Sequence, residues 1–213
     1  MNWLAGTLGS SIGKKLMMAL TGLGFCGFLA GHLAGNLTIY WGKNAFNSYA
    51  EHLHSLGPLI TLAELGLLFF ALIHILTGTT LFYQNLKARP FRYSVNKNAG
   101  GRTIGSRTMP YTGFILLSFI VLHLINFHFV DKTGTTIYQI VHGAFANPGY
   151  VAIYVFAMIV AAIHISHGFW SVFQTLGANH VKYMPFIKGV SIVFSLIVAL
   201  GFGFLPVYLA YMV

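Results

Sequence analysis

Charged residues are scarce in this chain. Only 7% of its 213 residues are charged and only three are acidic, whereas 56% are hydrophobic, and the mean hydropathy is +0.74. A water-soluble globular domain carries about 25% charged residues. The composition therefore excludes a soluble domain and predicts an integral membrane protein with no room for a separate soluble part.

Cysteine is nearly absent as well. Cys26 is the only one, so the chain can build neither an internal disulfide nor a thiolate metal site. Because Cys26 lies within a long apolar stretch, we expect it to act as a small buried hydrophobic side chain.

Long apolar runs dominate what is present. Five of them can cross roughly 30 Å of hydrocarbon as helices. We number them segments I to V, at about residues 16–40, 58–83, 109–130, 148–174 and 188–211. Segment I follows two lysines, as the apolar part of a signal peptide would, but it is longer and no small-residue cleavage site follows it, so we expect it to remain a helix. The predicted fold is an all-α membrane protein of five transmembrane helices, without an internal sequence repeat.

Basic residues predict the orientation. If the five segments alternate in direction, ten of the twelve basic residues lie on one side, which by the positive-inside rule is the cytoplasmic side. The N-terminus is then cytoplasmic and the C-terminus outside. The ten residues are Lys14, Lys15, Lys87, Arg89, Arg92, Lys97, Arg102, Arg107, Lys182 and Lys188.

The net charge of +9 follows from this topology. We expect attraction to anionic lipid and no binding of nucleic acid, because the basic residues form no groove interleaved with aromatic residues. Residues 85–107 are predicted to be a cytoplasmic loop, because they contain Pro90 and the Gly100-Gly101 pair. The outer loops, 41–57 and 131–147, are each long enough for a short interfacial helix.

The candidate metal-binding residues of this chain are histidines. One histidine lies about 15 residues from the start of each of segments I to IV; they are His32, His74, His123 and His164. An imidazole within a bilayer costs free energy unless it has a partner. Segments I and III run outward and segments II and IV run inward, so the depths predict an outer pair, His32 with His123, and an inner pair, His74 with His164.

Two imidazoles on one iron fill both axial positions of a b-type haem, which suits electron transfer. The pattern therefore predicts two haem b groups inside the bundle of segments I to IV, about 15 Å apart in a core of roughly 30 Å. Glycines on the same helix faces would let a flat macrocycle approach the backbone; they are Gly31, Gly35, Gly78 and Gly168. Arg102 and Arg107 are candidates for pairing with haem propionates or with an acidic partner.

The alternative for any one histidine is a hydrogen-bonded polar residue of a helix bundle, and glycine is also common at ordinary contacts between membrane helices. His167 is the rival ligand in segment IV, because it lies three residues after His164 and nearly on the same face. His128 lies five residues after His123, at the outer end of segment III and off its ligand face. The other four histidines lie in loops or at helix ends, where a solvated role is expected; they are His52, His54, His142 and His180.

With these residues in place, the chain closely resembles the five-helix, di-haem cytochrome b subunit of succinate:quinone oxidoreductases, which are succinate dehydrogenases or quinol:fumarate reductases. The resemblance covers essentially the whole chain. Its matching pieces are 31–36 (GHLAGN), 45–48 (AFNS), 72–74 (LIH) with Gly78, 112–113 (TG), 122–123 (LH), and 163–166 (IHIS) with Gly168, Trp170 and Ser171.

The resemblance implies a bacterial inner-membrane enzyme in which a flavoprotein subunit handles the dicarboxylate and an iron-sulfur subunit passes electrons to this anchor. The anchor has no dicarboxylate site of its own. The inner haem would face the iron-sulfur subunit, and a quinone, in this family typically menaquinone, would react near the outer haem. The direction of turnover, the quinone and the pairing of two such trimers stay open at this point.

Quinone chemistry needs protons as well as electrons, so an ionisable group is expected near the outer haem. Glu51 lies where some relatives carry an acidic quinone-site residue, and Glu64, early in segment II, is the other candidate. The chain departs from some quinol:fumarate reductases at Ala162, where those proteins carry a glutamate associated with transmembrane proton return.

Two other classes compete with this interpretation. A cytochrome b anchor of a hydrogenase or formate dehydrogenase would also pass electrons to quinone, but such anchors have four core helices and a different histidine layout. A haem-free transporter or structural anchor would need polar residues converging near the membrane midplane, and the three acidic residues form no such cluster.

Overall fold

The computed structural model describes residues 3–88 and 103–213, and all regular structure in these two ranges is helical. Eight α-helices follow one another, with a short 3-10 helix over Thr38–Trp41. They are α1 (Trp3–Gly9), α2 (Ser11–Leu37), α3 (Lys43–Ser55), α4 (Pro58–Lys87), α5 (Ile104–Phe127), α6 (Ile137–Phe145), α7 (Pro148–Thr175) and α8 (Met184–Tyr211). Five of them, α2, α4, α5, α7 and α8, are long and apolar enough to cross a membrane. The predicted all-α fold with five helices of membrane-spanning length is confirmed in the described residues.

The helix boundaries next to the predicted cytoplasmic loop differ from the sequence prediction. The helix α4 continues to Lys87, and α5 begins at Ile104, where the Thr103 side chain accepts a hydrogen bond of 3.0 Å from the Ser106 amide. A threonine that caps the first-turn amides favours a helix start at that point. The predicted loop over 85–107 is therefore too long at both ends. Residues 89–102, which include Pro90 and the Gly100-Gly101 pair, lie outside the described residues.

The central helix of the bundle is α7. It packs against α2, α5 and α8. The buried side chains of Ala161, Ile165 and Val198 form one core cluster between α7 and α8, and Cys26 of α2 packs against it, as expected of a small hydrophobic residue.

The helix α4 lies at the edge of the bundle. It packs mainly against α2 and touches α5 only slightly. Thr77 and Leu81 are its only buried residues among those described, so most of its apolar surface is free to face lipid.

One end of the bundle is closed by the 3-10 helix, α3 and α6. Ile39, Phe46 and Phe145 are buried there in a cluster with residues of α7 and α8. The Tyr138 amide in the first turn of α6 donates a 3.0 Å hydrogen bond to the Asn47 side chain of α3. Both outer loops thus contain the short helix that their lengths predicted.

Basic residues collect at the other end. The Lys14 ammonium group donates to the Gln84 side chain at 3.4 Å, which joins the start of α2 to the end of α4. The Lys188 ammonium group lies 4.8 Å from the centre of the Trp170 ring, which joins the start of α8 to the end of α7. This alternation of helix directions is the one on which the predicted orientation depends.

Candidate functional site: two histidine pairs

Four histidines meet as two pairs of rings. The ring centroids of His32 on α2 and His123 on α5 lie 6.0 Å apart, with the ring planes at 90°. The centroids of His74 on α4 and His164 on α7 lie 6.4 Å apart, at 59°. All four side chains are half-buried. The structure thus brings together the same two pairs that helix depth indicates, and their ligation of iron stays a prediction.

The separation of the rings fits a shared metal. An imidazole nitrogen binds a metal at roughly 2 Å, so two imidazoles on opposite sides of one ion have centroids about 6 Å apart. Within residues 3–88 and 103–213, no group of three or more His, Cys, Asp or Glu side chains is placed to hold a metal ion. Two imidazoles alone suit an iron that already carries four ligands from a macrocycle.

Two threonine hydroxyl groups contact the inner pair. Thr21 Oγ1 lies 3.2 Å from His74 Nδ1, and Thr112 Oγ1 lies 3.0 Å from His164 Nδ1. Each threonine lies on a different helix from the histidine that it contacts. Both are buried in the bundle, so these hydrogen bonds are shielded from water and hold the rings in place.

A glycine follows each of these threonines. A Cβ added at Gly22 would lie 3.4 Å from His74 Cε1, and one added at Gly113 would lie 3.5 Å from His164 Cε1. The absence of a side chain therefore lets each inner ring lie against the backbone of the neighbouring helix.

The helices α2 and α5 place these residues at the same spacing. Thr21-Gly22 precedes His32 by 11 residues in α2, and Thr112-Gly113 precedes His123 by 11 residues in α5. Each of the two helices thus serves both layers. At 1.5 Å per residue, 11 residues place the layers about 16 Å apart along the helix axis. The sequence signal, Thr-Gly followed at fixed spacing by His, is short and is easily missed between apolar residues.

The outer pair has an aromatic environment. The Phe28 ring stacks on His32 with centroids 5.2 Å apart, and Phe202 of α8 lies 5.4 Å from it. The ring of His123 lies 6.0 Å from that of Tyr154. His123 Nδ1 is buried without a hydrogen-bond partner among the described residues. A buried polar atom of this kind costs free energy unless it acquires a partner.

The glycines predicted to contact haem have different surroundings. No atom outside the local helix lies within 4 Å of a Cβ added at Gly31 or Gly168, whereas one added at Gly78 would lie 3.7 Å from Met18 Sδ. At Gly35 an added Cβ would overlap the ring of Tyr49 from α3. Packing of α3 therefore accounts for glycine at position 35, and contact of the other three glycines with haem stays a prediction.

The rival ligand His167 has other partners. Its Nδ1 lies 3.3 Å from Thr103 Oγ1 at the start of α5, and its ring meets Trp170 edge-on at 5.0 Å. The ring that pairs with His74 belongs to His164.

The acidic candidates lie in two places. Glu51 is exposed on α3. The Glu64 carboxyl of α4 lies 3.7 Å from His128 Nδ1 at the end of α5, with side chains 48% and 42% exposed respectively. The sequence alone does not pair His128 with Glu64, because nothing in it shows which residues of two different helices face each other. Arg107 is exposed in the first turn of α5, and Arg102 lies outside the described residues.

Comparisons with known proteins add no relative: no protein-family model matches the chain, and neither a curated protein nor a solved structure matches it significantly. The functional interpretation therefore depends on the histidine pairs and on the resemblance of the segments quoted above.

Proposed function

We propose that this chain is the di-haem cytochrome b membrane anchor of a succinate:quinone oxidoreductase, carrying electrons between an iron-sulfur subunit and a membrane quinone. The observation that carries the proposal is the meeting of four histidines from four helices as two ring pairs. When bound, a b-type haem in each pair would supply one-electron redox chemistry. The histidine pairs would hold its iron from both sides.

The arrangement favours electron transfer over other haem chemistry. Each pair offers two imidazoles, which together would hold a haem iron and would suit electron transfer rather than the binding of oxygen or a substrate. The two layers are about 16 Å apart by the rise of α2 and α5, in agreement with the spacing expected from the membrane thickness. Such a distance would allow electrons to tunnel between haems held by the two pairs.

The basic end supports the proposed docking side. The inner pair lies nearer to the ends that carry Lys14, Lys87 and Lys188 than the outer pair does. In our proposal this end faces the cytoplasm of a bacterial inner membrane, where it attracts anionic lipid and binds the iron-sulfur and flavoprotein subunits. The exposed Arg107 belongs to the same end.

The quinone would react at the opposite end, near the outer pair. Reduction of a quinone consumes two electrons and two protons, so a group that donates or accepts protons must lie beside it. Glu64 with His128, and Glu51 on α3, are the groups that the chain offers there. Menaquinone is the quinone that the resemblance favours. Because position 162 is alanine, we propose no transmembrane proton path through it.

The first experiment is to purify the chain with the subunits that accompany it and to measure haem b per polypeptide by the pyridine haemochrome method. We expect two haems. His32→Ala and His123→Ala should each remove the same haem, and His74→Ala and His164→Ala the other. A double variant within one pair should lose no more haem than a single one, whereas one from each pair should lose both.

The matched control is His167→Ala, which should retain two haems. Fewer than two haems in the wild-type protein, or two haems in any of the four single variants, would contradict the proposal. Flavin and iron-sulfur subunits in the purified complex would distinguish it from a hydrogenase or formate dehydrogenase. Rates of succinate oxidation and fumarate reduction by the same complex would give the direction.

A further inference from the structure

We infer that Thr21 and Thr112 are positioning residues that fix the tautomer of the inner histidines, so that Nε2 of each ring faces the metal, and that they lower the reduction potential of the inner haem relative to a site without them. This inference rests on the proposed function, because it assigns a role to residues that surround the proposed inner haem.

The Thr21 hydroxyl has a single proton to donate. Thr21 Oγ1 lies 2.8 Å from the carbonyl oxygen of Met17, one turn earlier in α2. A carbonyl oxygen only accepts, so the hydroxyl must donate its proton there. Toward His74 Nδ1, at 3.2 Å, the hydroxyl oxygen can then only accept. Nδ1 of His74 therefore carries the proton, and the lone pair of the neutral ring is on Nε2.

The second inner histidine repeats this arrangement on another pair of helices. Thr112 Oγ1 lies 3.0 Å from the carbonyl oxygen of Thr108 and 3.0 Å from His164 Nδ1. The same reasoning places the proton of His164 on Nδ1. Both inner rings are thus prepared to bind a metal through Nε2, and each tautomer is selected by a hydrogen bond from a different helix.

In the described part of the chain, the outer pair has no such hydrogen bond from a threonine hydroxyl. Aromatic rings surround His32 and His123, and His123 Nδ1 has no hydrogen-bond partner there. An imidazole that donates from its second nitrogen is a more basic ligand. A more basic ligand stabilises ferric iron more than ferrous iron, so the threonines should lower the potential of the inner haem and leave the outer haem unaffected.

The test replaces each threonine by valine in the complete complex. Valine keeps the branched shape and removes the hydroxyl group. The midpoint potential of each haem is measured by redox titration, with the inner haem identified as the one that His74→Ala removes. In Thr21→Val and in Thr112→Val we expect a higher inner potential, so that at the wild-type inner midpoint the ferrous-to-ferric ratio rises roughly three- to tenfold. The outer potential should not change.

Two control variants separate the ring contact from a general effect on packing. Thr21→Ser retains the hydroxyl and should keep the wild-type inner potential. Thr77→Val removes a buried hydroxyl that, among the described residues, bonds only to the backbone carbonyl oxygens of Ile73 and His74, and it should shift neither potential. An equal shift in Thr77→Val would overturn the inference, as would an unshifted inner potential in both valine variants at positions 21 and 112.

If a valine variant loses the inner haem, its inner potential cannot be measured, and the serine variant then tests the role of the hydroxyl. Full haem content and a wild-type potential in Thr21→Ser would support the inference, and loss of the haem from this variant too would overturn it. A different result would contradict the proposed function, namely a wild-type complex without two haems. Two haems whose potentials do not shift in the valine variants would contradict only the role of the threonines.

Discussion

At the scale of single residues, the glycines beside the inner rings limit which side chains can replace them. An alanine Cβ at Gly22 or Gly113 would be in ordinary contact with the ring, at 3.4 or 3.5 Å, whereas the additional methyl groups of valine would enter the space of the ring. We expect Gly22→Ala to keep both haems and Gly22→Val to lose the inner one, as measured by haem per polypeptide.

A matched control for this pair is Gly66→Val on α4, where no atom outside the local helix lies within 4 Å of an added Cβ. It should retain both haems. Two haems in Gly22→Val would show that the inner ring does not lie against α2 when the cofactor is bound.

The two acidic candidates can be separated at the same scale. Glutamine keeps the shape of glutamate but cannot exchange protons at neutral pH. If Glu51 or Glu64 transfers protons to the quinone, changing that residue to glutamine should lower quinone-linked turnover by about a hundredfold. Haem content and electron transfer from succinate to a soluble dye should be unchanged. Wild-type quinone turnover in both variants would remove both residues from the proposal.

The sequence predicts the histidines better than their partners. Depth along an apolar run follows from counting residues, and it is sufficient to pair His32 with His123. The contact between Thr21 and His74 depends on the rotation of α2 about its own axis relative to α4, which packing determines and which apolar sequences of low amphipathicity do not reveal.

At the scale of helices, α8 supports the site although it has no histidine. Ser191 is fully buried and donates a 2.7 Å hydrogen bond to the carbonyl oxygen of Ser166, two residues after His164. Ser191→Ala should destabilise the contact between α7 and α8 by about 0.6 kcal/mol, the average for such bonds in membrane proteins. Thermal unfolding in detergent would measure this.

Ser118→Ala is the control for this helix contact, because the Ser118 hydroxyl is exposed and bonds only within α5. Its unfolding temperature should match that of the wild type. Equal unfolding temperatures for Ser191→Ala and Ser118→Ala would mean that the hydrogen bond between α7 and α8 makes no net contribution.

The short helices α3 and α6 show which features of a helix the sequence predicts and which it does not. Loop length indicates that α3 and α6 exist, and the segment 45–48 (AFNS) belongs to the quoted resemblance. The role of Asn47 appears only in three dimensions: its side chain accepts from a first-turn amide of α6, which has no partner within its own helix. When the capping side chain belongs to another helix, the sequence next to the capped helix contains no sign of it.

At the scale of the whole molecule, α4 is the least buried of the five membrane-length helices in the described residues. It packs mainly against α2, and its inner histidine meets α7 through the ring of His164. A haem bound by both rings would link the two helices and stabilise the folded state by mass action. We therefore expect His164→Ala to increase hydrogen exchange in α4 far more than in α8.

The comparison variant is His123→Ala, which should remove the haem between α2 and α5 instead. Its hydrogen exchange should rise in α5 and stay near the wild-type level in α4. Equal increases in α4 for both variants would show that α4 is held by packing alone.

The Thr-Gly and histidine groups of α2 and α5 have a further consequence, for evolution. Eleven residues make three helical turns plus about 20°, so both groups point to nearly the same side of the helix. One inserted residue would turn them about 120° apart and remove a helix from one of the two layers. The stretches 23–31 and 114–122 can therefore diverge by substitution, but an insertion or deletion in either would be selected against.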